Sequence, residues 1–295
     1  MRLSATTRSG LQSQGLDPAA VASLASLAIE EDLAYGPDAT TLAVVGAEMR
    51  SEGAFVARRG GVLAGAFVAA AVCEVASEGR LEVHAAIDDG TPLARGDVIA
   101  TVSGPTRALL MAERSALNLL CHLSGVATLT RRWVEAVAGT GAVVRDTRKT
   151  TPGLRALEKY AVRCGGGENH RMGLGDAALI KDNHVAASGG VAAAFQAVRR
   201  VAPQLDVEVE CDTLAQVQEA LEAGADLILL DNMELSTISQ AVELARRRAG
   251  VRLEASGGLS LEQAAAVAAT GVDYLAVGAL THSAPVLDIG LDLRS

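Results

Sequence analysis

Aromatic residues are scarce in this 295-residue chain: one Trp, three Tyr and three Phe make up 2% of it, whereas 49% of the residues are hydrophobic. Ala, Val and Leu must therefore fill the interior. Small aliphatic side chains suit helices packed closely on a parallel sheet better than an aromatic-rich sandwich. The composition argues against an all-β protein, and the length allows one large α/β domain or two smaller domains.

An excess of basic charge is also lacking, because the formal net charge is -9 and the isoelectric point is about 5.1. Binding to nucleic acid or to an anionic membrane relies on basic surface charge, so a small-molecule partner is favoured. The longest apolar run, Val62 to Cys73, is shorter than the roughly 20 residues of a membrane-spanning helix. The polar start MRLSATTRSGLQSQG has no secretory h-region, and we expect a cytoplasmic protein.

Paired cysteines are missing as well. The chain has four cysteines, with no C-x-x-C pair and no histidine at a spacing typical of metal ligands. Cysteine is among the residue types most often buried in proteins. We therefore expect four buried thiols, namely Cys73, Cys121, Cys164 and Cys211.

What is present, from Ala142 onward, is an alternation of short apolar segments and helix-period segments. Strand-helix repeats of this kind predict βα units and a parallel sheet. Nearly every predicted strand is followed by polar or charged residues, and a barrel would gather all these strand ends at one mouth. We therefore predict an incomplete α/β barrel of six or seven strands. The strand segments are 142–147, 177–182, 206–211, 226–231, 251–256 and 273–278.

Helix ends are legible in the same region. Thr213 with Gln216, and Ser260 with Gln263, have the spacing of a capping box at a helix N-terminus. Pro152 fits the first turn of a helix that ends at the glycines of 165–167.

The first part of the chain, up to about residue 115, has a different pattern. Helices are predicted at 17–33, capped by Asp17 or Pro18, and at 66–76, and Gly-rich turns between apolar segments indicate strands and hairpins. A long helical segment, 106–130, is expected to break at Gly125. We therefore predict an N-terminal α+β open-sandwich domain before the barrel.

Five cationic or potentially cationic residues follow three separate strand or helix ends: Arg148, Lys149, His170, Arg171 and Lys181. Each could be a solvated loop charge, which is the usual state of Lys and Arg. A barrel, however, would bring them together, and clustered cations repel one another unless anions lie between them. Arg matches carboxylate or phosphate with two parallel hydrogen bonds, and Lys supplies a compact charge. The cluster predicts a polyanionic ligand.

Three carboxylates lie on two neighbouring predicted strands. Alternation along the segment DVEVEC puts Glu208 and Glu210 on one face, and Asp231 closes the next strand. The glutamates could merely neutralise the cations, because buried charges need partners. They could also be oxygen ligands for Mg²⁺, which prefers carboxylates, waters and phosphate oxygens.

Small residues after the last strands indicate a place for phosphate. Ser256, Gly257 and Gly258 precede a predicted helix start, and Gly278 follows the final strand. They could be simple turn residues, but backbone N–H groups after late barrel strands often bind phosphate. No P-loop or Rossmann glycine pattern follows a strand.

Several long stretches, taken in order, cover much of the chain: EEDLAYGPDATTL, AERSALNLLCHLSG, DTRKTTPGLRALEKYAVRCGGGENHRMGLGDAALIKDNH, VEVECDTL, LILLDNM, LEASGGLS and DYLAVGALTHSAPVLDIGLDL. Together they resemble the quinolinate phosphoribosyltransferase family, also called carboxylating nicotinate-nucleotide pyrophosphorylases, over nearly the whole chain. The resemblance implies a pentosyltransferase that converts quinolinate and phosphoribosyl pyrophosphate to nicotinate mononucleotide, pyrophosphate and CO₂ with Mg²⁺, in de novo NAD synthesis.

The resemblance also implies domains and an assembly. It implies an N-terminal sandwich domain at 1–117, a barrel at 118–278 and a tail at 279–295 that returns to the first domain. The expected assembly is a homodimer with a shared active site, or a higher oligomer, in which Arg114 is lent across the interface.

The resemblance also implies roles for the residues that match the motifs of the family. Arg148, His170 and Arg171 would grip the two carboxylates of quinolinate, and Lys149 and Lys181 would contact phosphate and carboxylate oxygens. Glu210 and Asp231 would form the magnesium and ribose side, directly or through water. The catalytic set implied is Lys149, Lys181, Glu210 and Asp231, and the 5'-phosphate cradle is Ser256, Gly257, Gly258 and Gly278.

Three alternatives stay open at this stage. A sister family associated with molybdenum transport shares the fold and several motifs, and it would use a different base. Lys181 could instead be the Schiff-base lysine of a barrel aldolase. A non-catalytic barrel would bind a phosphosugar without turnover.

Overall fold

The computed structural model describes residues 3–294, so the outer ends of the expected N-terminal domain and C-terminal tail lie outside the described residues. The chain forms two compact units. The first unit comprises the chain up to Leu129, the segment Ala156–Gly166 and the chain from Ala284 onward; the second comprises Thr130–Arg155 and Gly167–Ser283. The domain boundaries expected from the sequence, 117/118 and 278/279, stay a prediction.

The first unit contains six strands among its described residues: β1 (Arg50–Ala57), β2 (Gly61–Val62), β3 (Glu82–Ala85), β4 (Pro92–Leu93), β5 (Val98–Pro105) and β12 (Ile289–Arg294). Four of them form an antiparallel sheet with the order β12-β1-β5-β3. The last strand returns to the first, because Ile289 pairs with Ala57 and Leu293 with Gly53. The two short strands, β2 and β4, form a separate antiparallel pair.

The helices of the first unit begin where the sequence supplies caps. The Asp17 carboxylate accepts the N–H of Ala19, and Pro18 occupies the first helical position, where its missing N–H costs nothing. The predicted helices at 17–33 and 66–76 are therefore confirmed. The helices are α1 (Ala5–Ser13), α2 (Pro18–Leu33), α3 (Ala39–Val44) and α4 (Ala66–Ala76), followed by α5 (Thr106–Ala136) and α6 (Arg155–Cys164), which both continue beyond this unit.

The expected break at Gly125 is wrong. Helix α5 runs without interruption from Thr106 to Ala136. A Cβ atom at Gly125 would lie 2.2 Å from the carbonyl oxygen of Pro285. The glycine is therefore explained by the close approach of the 285–286 backbone to the helix and not by a bend, because a single glycine is tolerated inside a helix.

Six strands are described in the second unit: β6 (Val143–Arg145), β7 (Ala178–Ile180), β8 (Val207–Cys211), β9 (Leu227–Asp231), β10 (Arg252–Ser256) and β11 (Tyr274–Ala276). They are parallel and lie in the order β6-β11-β10-β9-β8-β7. A closed barrel would also pair β6 with β7, and the described strands leave that seam open. Glu168 partly fills it, because its N–H donates to the carbonyl of Val144 at 2.9 Å. The predicted incomplete barrel is confirmed.

Helices alternate with these strands. The capping box of Thr213 and Gln216 is confirmed at the start of α9. The capping box predicted for Ser260 and Gln263 is wrong, because residues 261–263 form a turn and the helix begins at Ala264. Pro152 likewise lies in a turn before α6 and not in its first turn. The helices of this unit are α7 (Asp182–Ser188), α8 (Val191–Val201), α9 (Leu214–Ala223), α10 (Leu235–Ala245), α11 (Ala264–Ala269) and α12 (Ala279–His282).

The buried residues of both units are mainly Ala, Val and Leu, as the composition predicts. All four cysteines are free thiols; Cys73 and Cys211 are buried, whereas Cys121 and Cys164 are half-buried, so the burial expectation holds fully for two of them. Among the described residues, every helix is too short or too polar to cross a bilayer.

Candidate active site

A cavity of about 500 Å³ lies at the carboxyl ends of the barrel strands, within the second unit. Its position is the one expected for an active site of a barrel fold. All predicted site residues except Arg114, Glu208 and Gly278 line it. The lining residues are Thr147, Arg148, Lys149, His170, Arg171, Leu179, Lys181, Glu210, Leu229, Asp231, Asn232, Glu254, Ser256, Gly257, Gly258 and Ala276.

The two arginines of the cavity follow β6 and the seam-filling segment. The Nε atom of Arg148 is buried and has no hydrogen-bond partner within residues 3–294. Arg171 is half-buried and donates from Nη1 to the carbonyl of Ala177 at 3.1 Å. Burial, and then the charge of Arg148, lower the pKa of Arg171. The two guanidinium groups repel each other, so an anion bound beside them would be stabilised. Their remaining N–H groups are available to donate to it.

The two lysines differ in what they contact. Lys149 is exposed, and the hydroxyl of Thr281 donates to its carbonyl at 2.8 Å. Gly278 leaves room for its stem, because a Cβ atom there would lie 3.0 Å from Cδ of Lys149. Gly278 thus belongs to the wall behind Lys149. Lys181, at the start of α7, forms an ion pair with Glu210.

Glu210 is the penultimate residue of β8 and Asp231 is the last residue of β9, and both line the same cavity. Both are half-buried, so water and ligand oxygens can reach them. The side-chain amide of Asn232 donates to Asp231 at 2.6 Å. Glu210 forms an ion pair with Lys181 in this structure. It therefore has the charge-neutralising role that was one of the two roles considered for it from the sequence.

Glu208 lies deeper in the barrel and does not line the cavity. Its Oε2 atom is 2.7 Å from Nε2 of His170, and Oε1 of Glu254 is 3.4 Å from the same nitrogen. Burial lowers the pKa of His170, but the hydrogen bond to Glu208 and the negative charge of the nearby Glu254 outweigh it and raise that pKa to about 9. Arg171 opposes this shift, because its N–H donates to Nδ1 at 2.8 Å and protonation of Nδ1 would break that bond. The geometry therefore favours a smaller rise.

The segment that carries His170 is anchored by a further buried acid. The carboxylate of Asp146 accepts the N–H of His170 at 2.9 Å and the side-chain amide of Asn169 at 2.6 Å. Backbone and side chain of His170 are thus both held within the second unit.

The loops after β9 and β10 interlock at the cavity wall. Asn232 has a left-handed backbone, with φ of 52°, and its N–H donates to the carbonyl of Ser256 at 3.0 Å. Gly257 has φ of 86°, and a Cβ atom there would lie 2.4 Å from Oδ1 of Asn232. Only glycine fits this position. Ser256, Gly257 and Gly258 all line the cavity, and the two glycines can do so only with backbone atoms.

Sequence reasoning missed Glu254, Asn232, Thr147 and Asp146. A signal existed for Glu254, because it is an acid flanked by apolar residues in VRLEAS, as Glu208 is in DVEVEC. Nothing in the local pattern distinguishes the other three from ordinary loop residues.

Arg114 is exposed on helix α5 in the first unit and is not among the residues that line the cavity. It makes no hydrogen bond or ion pair with residues 3–294 of its own chain. The structure thus assigns it no contact that would explain its presence.

Fold and site together define a class: a parallel α/β barrel protein whose mouth is built to bind polyanions. Residues 126–292 match the C-terminal domain of quinolinate phosphoribosyl transferase, and residues 38–124 match the N-terminal domain. The chain belongs to the quinolinate phosphoribosyltransferase family.

Individual relatives agree with this assignment. The chain is 56% identical to a carboxylating nicotinate-nucleotide pyrophosphorylase of Mycobacterium leprae, over 90% of this chain and 94% of that protein. It is 44% identical to a probable enzyme of the same name from Bacillus subtilis, over 89% of this chain and 90% of that one. The crystal structure of NadC from Streptococcus pyogenes superposes with a TM-score of 0.88 at 40% identity, covering 95% of this chain and 99% of that one.

Proposed function

We propose that the chain transfers a phosphoribosyl group to quinolinate and releases CO₂, forming nicotinate mononucleotide and pyrophosphate for NAD synthesis. The observation that carries the proposal is the convergence, in one cavity, of cations that suit two polyanions and carboxylates that suit a divalent metal. The family assignment gives the substrates their names.

Quinolinate carries two adjacent carboxylates, and the cavity offers two guanidinium groups. Arg148 has an unpaired buried Nε donor, and Arg171 is fixed through the carbonyl of Ala177. We assign both arginines to the carboxylates, because a guanidinium fork matches a carboxylate with two parallel hydrogen bonds. His170 belongs to the same side of the cavity.

Phosphoribosyl pyrophosphate requires donors for its phosphate groups. Lys149 and Lys181 supply positive charge, and the backbone of Ser256, Gly257 and Gly258 supplies N–H groups that no Cβ shields at the two glycines. We place the pyrophosphate near the lysines and the 5'-phosphate at the glycine loop, with Gly278 behind Lys149.

Mg²⁺ fits the carboxylate side of the cavity. Glu210 and Asp231 present hard oxygen donors that are only half-buried, which is the arrangement that Mg²⁺ uses with substrate phosphates and water. When bound, the ion would stabilise negative charge on the leaving pyrophosphate. Glu210 would then exchange its ion pair with Lys181 for the metal, which leaves Lys181 available to substrate oxygens.

The remaining chemistry needs no covalent enzyme nucleophile. The bond between ribose C1 and pyrophosphate breaks with carbocation-like character, and Lys149 and Lys181 stabilise the departing charge. The pyridine nitrogen forms the new bond to C1. Loss of the adjacent carboxylate as CO₂ leaves the electron pair on the ring carbon as a carbanion, which the neighbouring cationic nitrogen stabilises, and that carbon then takes up a proton. Binding and alignment by Arg148 and Arg171 supply much of the rate.

A homodimer with a shared site and a cytoplasmic location complete the proposal. Arg114 is an exposed, unpaired cation within the described chain, which suits a residue that acts in a partner's site. The four free thiols suit a reducing compartment.

One assay tests the function. Purified protein is supplied with quinolinate labelled in the 2-carboxylate, phosphoribosyl pyrophosphate and Mg²⁺, and released CO₂ and mononucleotide are measured together. Equal yields of both products are expected, and omission of Mg²⁺ should abolish them. Turnover of another base, with none of quinolinate, would instead indicate the related family associated with molybdenum transport.

A further inference from the structure

Two acids lie buried inside the barrel of the second unit. Glu208 is 2% exposed and Glu254 is 0% exposed, on strands β8 and β10. A buried carboxylate is costly unless it is paired and hydrogen-bonded. Their partners therefore indicate what the arrangement achieves.

A chain of contacts runs through these acids. Nη1 of Arg145 donates to Oε2 of Glu254 at 3.2 Å, and the same guanidinium lies 3.4 Å from the centre of the Tyr274 ring. Oε1 of Glu254 is 3.4 Å from Nε2 of His170. The shortest contact in the chain is the 2.7 Å hydrogen bond between Nε2 of His170 and Oε2 of Glu208.

The other ring nitrogen of His170, Nδ1, extends this chain of contacts in the opposite direction. Nδ1 accepts the N–H of Arg171 at 2.8 Å. Nδ1 is therefore the acceptor and Nε2 carries the ring proton, facing two carboxylates. Nε2 would carry a proton in the imidazolium as well. The direction of the Nε2–H bond thus does not depend on the charge of the ring.

We propose that Glu208 is a positioning residue for the quinolinate side of the site. It holds the His170 ring through Nε2, and the ring holds the backbone of Arg171 through Nδ1, so that the Arg171 guanidinium faces the cavity. The Glu254 carboxylate restricts the movement of the ring from a second side, and Arg145 neutralises the charge of Glu254. The inference rests on the proposed function for the identity of the dicarboxylate, but not for the hydrogen-bond chain.

The first test observes the hydrogen-bond chain in the unmodified protein. Histidine ring signals in a ¹⁵N–¹H spectrum of the ligand-free protein are assigned with His170→Asn. The Nε2–H of His170 should give a sharp, slowly exchanging signal near neutral pH. Absence of that signal, or a proton located on Nδ1 alone, would overturn the proposal whether or not the protein turns over quinolinate.

The second test compares two variants of one residue. Glu208→Gln keeps an oxygen that accepts from Nε2–H, whereas Glu208→Leu removes it at similar size. The Kd of quinolinate, measured by calorimetry, should rise about 10- to 100-fold in the Leu variant and less than about threefold in the Gln variant, because small misplacements of a binding group are costly. The Kd of phosphoribosyl pyrophosphate with Mg²⁺ should change in neither variant.

The control is Glu243→Leu, which alters an exposed acid on α10 and should leave both affinities unchanged. A folded Leu variant with wild-type quinolinate affinity would refute the positioning role. So would an equal loss of both substrates, which indicates general damage. If the Leu variant does not fold, the spectrum of the unmodified protein decides. Failure of the proposed function would show separately, as no CO₂ release by the wild type.

Discussion

At the scale of single residues, Arg148 and Arg171 are expected to serve quinolinate and not phosphoribosyl pyrophosphate. Replacing either by Ala removes half-buried charged donors from the cavity, which we expect to weaken quinolinate binding at least 30-fold, or about 2 kcal/mol. Binding of phosphoribosyl pyrophosphate should persist. Calorimetry with each substrate checks this, with Arg247→Ala as the matched control, because Arg247 is exposed on the same unit. Unchanged quinolinate affinity would contradict the assignment.

His170 gives a residue-scale prediction about pH. Its pKa in the folded protein lies above the ordinary 6.5 and is raised to about 9 at most, because Glu208 and Glu254 favour the charged ring. A raised folded-state pKa contributes stability that is complete below pH 6.5 and is lost as pH rises through the folded pKa. The contribution is at most about 3 kcal/mol. Urea unfolding of wild type and His170→Asn should therefore differ most near pH 6 and least near pH 10. A difference that grows with pH would contradict this.

At the scale of elements, Gly125 in helix α5 provides the sharpest prediction. Gly125→Ala gains about 1 kcal/mol of helix propensity. Its new Cβ atom, however, meets the Pro285 carbonyl at 2.2 Å, and overpacking costs about 1–3 kcal/mol or more. We expect a net loss of stability in urea unfolding. Asn118→Ala, at an exposed position of the same helix, should instead gain about 0.5 kcal/mol. Equal gains in both variants would show that the Pro285 contact is not rigid.

The same glycine shows where sequence patterns reach their limit. Local signals located the six barrel strands and the caps at Asp17 and Thr213, because periodicity and capping are properties of neighbouring residues. Gly125 was misread because its reason lies at Pro285, 160 positions away in the printed sequence. Ser260 was misread because a capping pattern states only which residues could cap a helix, and the helix in the structure begins at Ala264.

At the scale of the whole molecule, the alternation of strands and helices predicts that the carboxyl ends of the strands meet at one rim. The second unit has this arrangement. The residues Arg148, Arg171 and Glu210 were foreseeable because parallel strands bring their carboxyl ends to one rim. The Glu208–His170–Arg171 chain was not, because it depends on which ring nitrogen faces which partner. Arg114 was foreseeable only through the family resemblance, because it is exposed and makes no hydrogen bond or ion pair within residues 3–294.

The exposed position of Arg114 leads to a prediction about assembly. If each site takes Arg114 from one protomer and Lys181 from the other, Arg114→Ala and Lys181→Ala homodimers are both inactive. Random exchange makes half of the dimers hybrids, each with one intact site, so mixing should restore about a quarter of wild-type activity. Lys149→Ala mixed with Lys181→Ala is the control and should restore nothing, because each barrel keeps its own lesion. Subunit exchange is verified with two differently tagged proteins. No recovery after verified exchange would mean that Arg114 is not shared between protomers, and a quarter recovery in the control would mean that the lysines do not belong to one barrel.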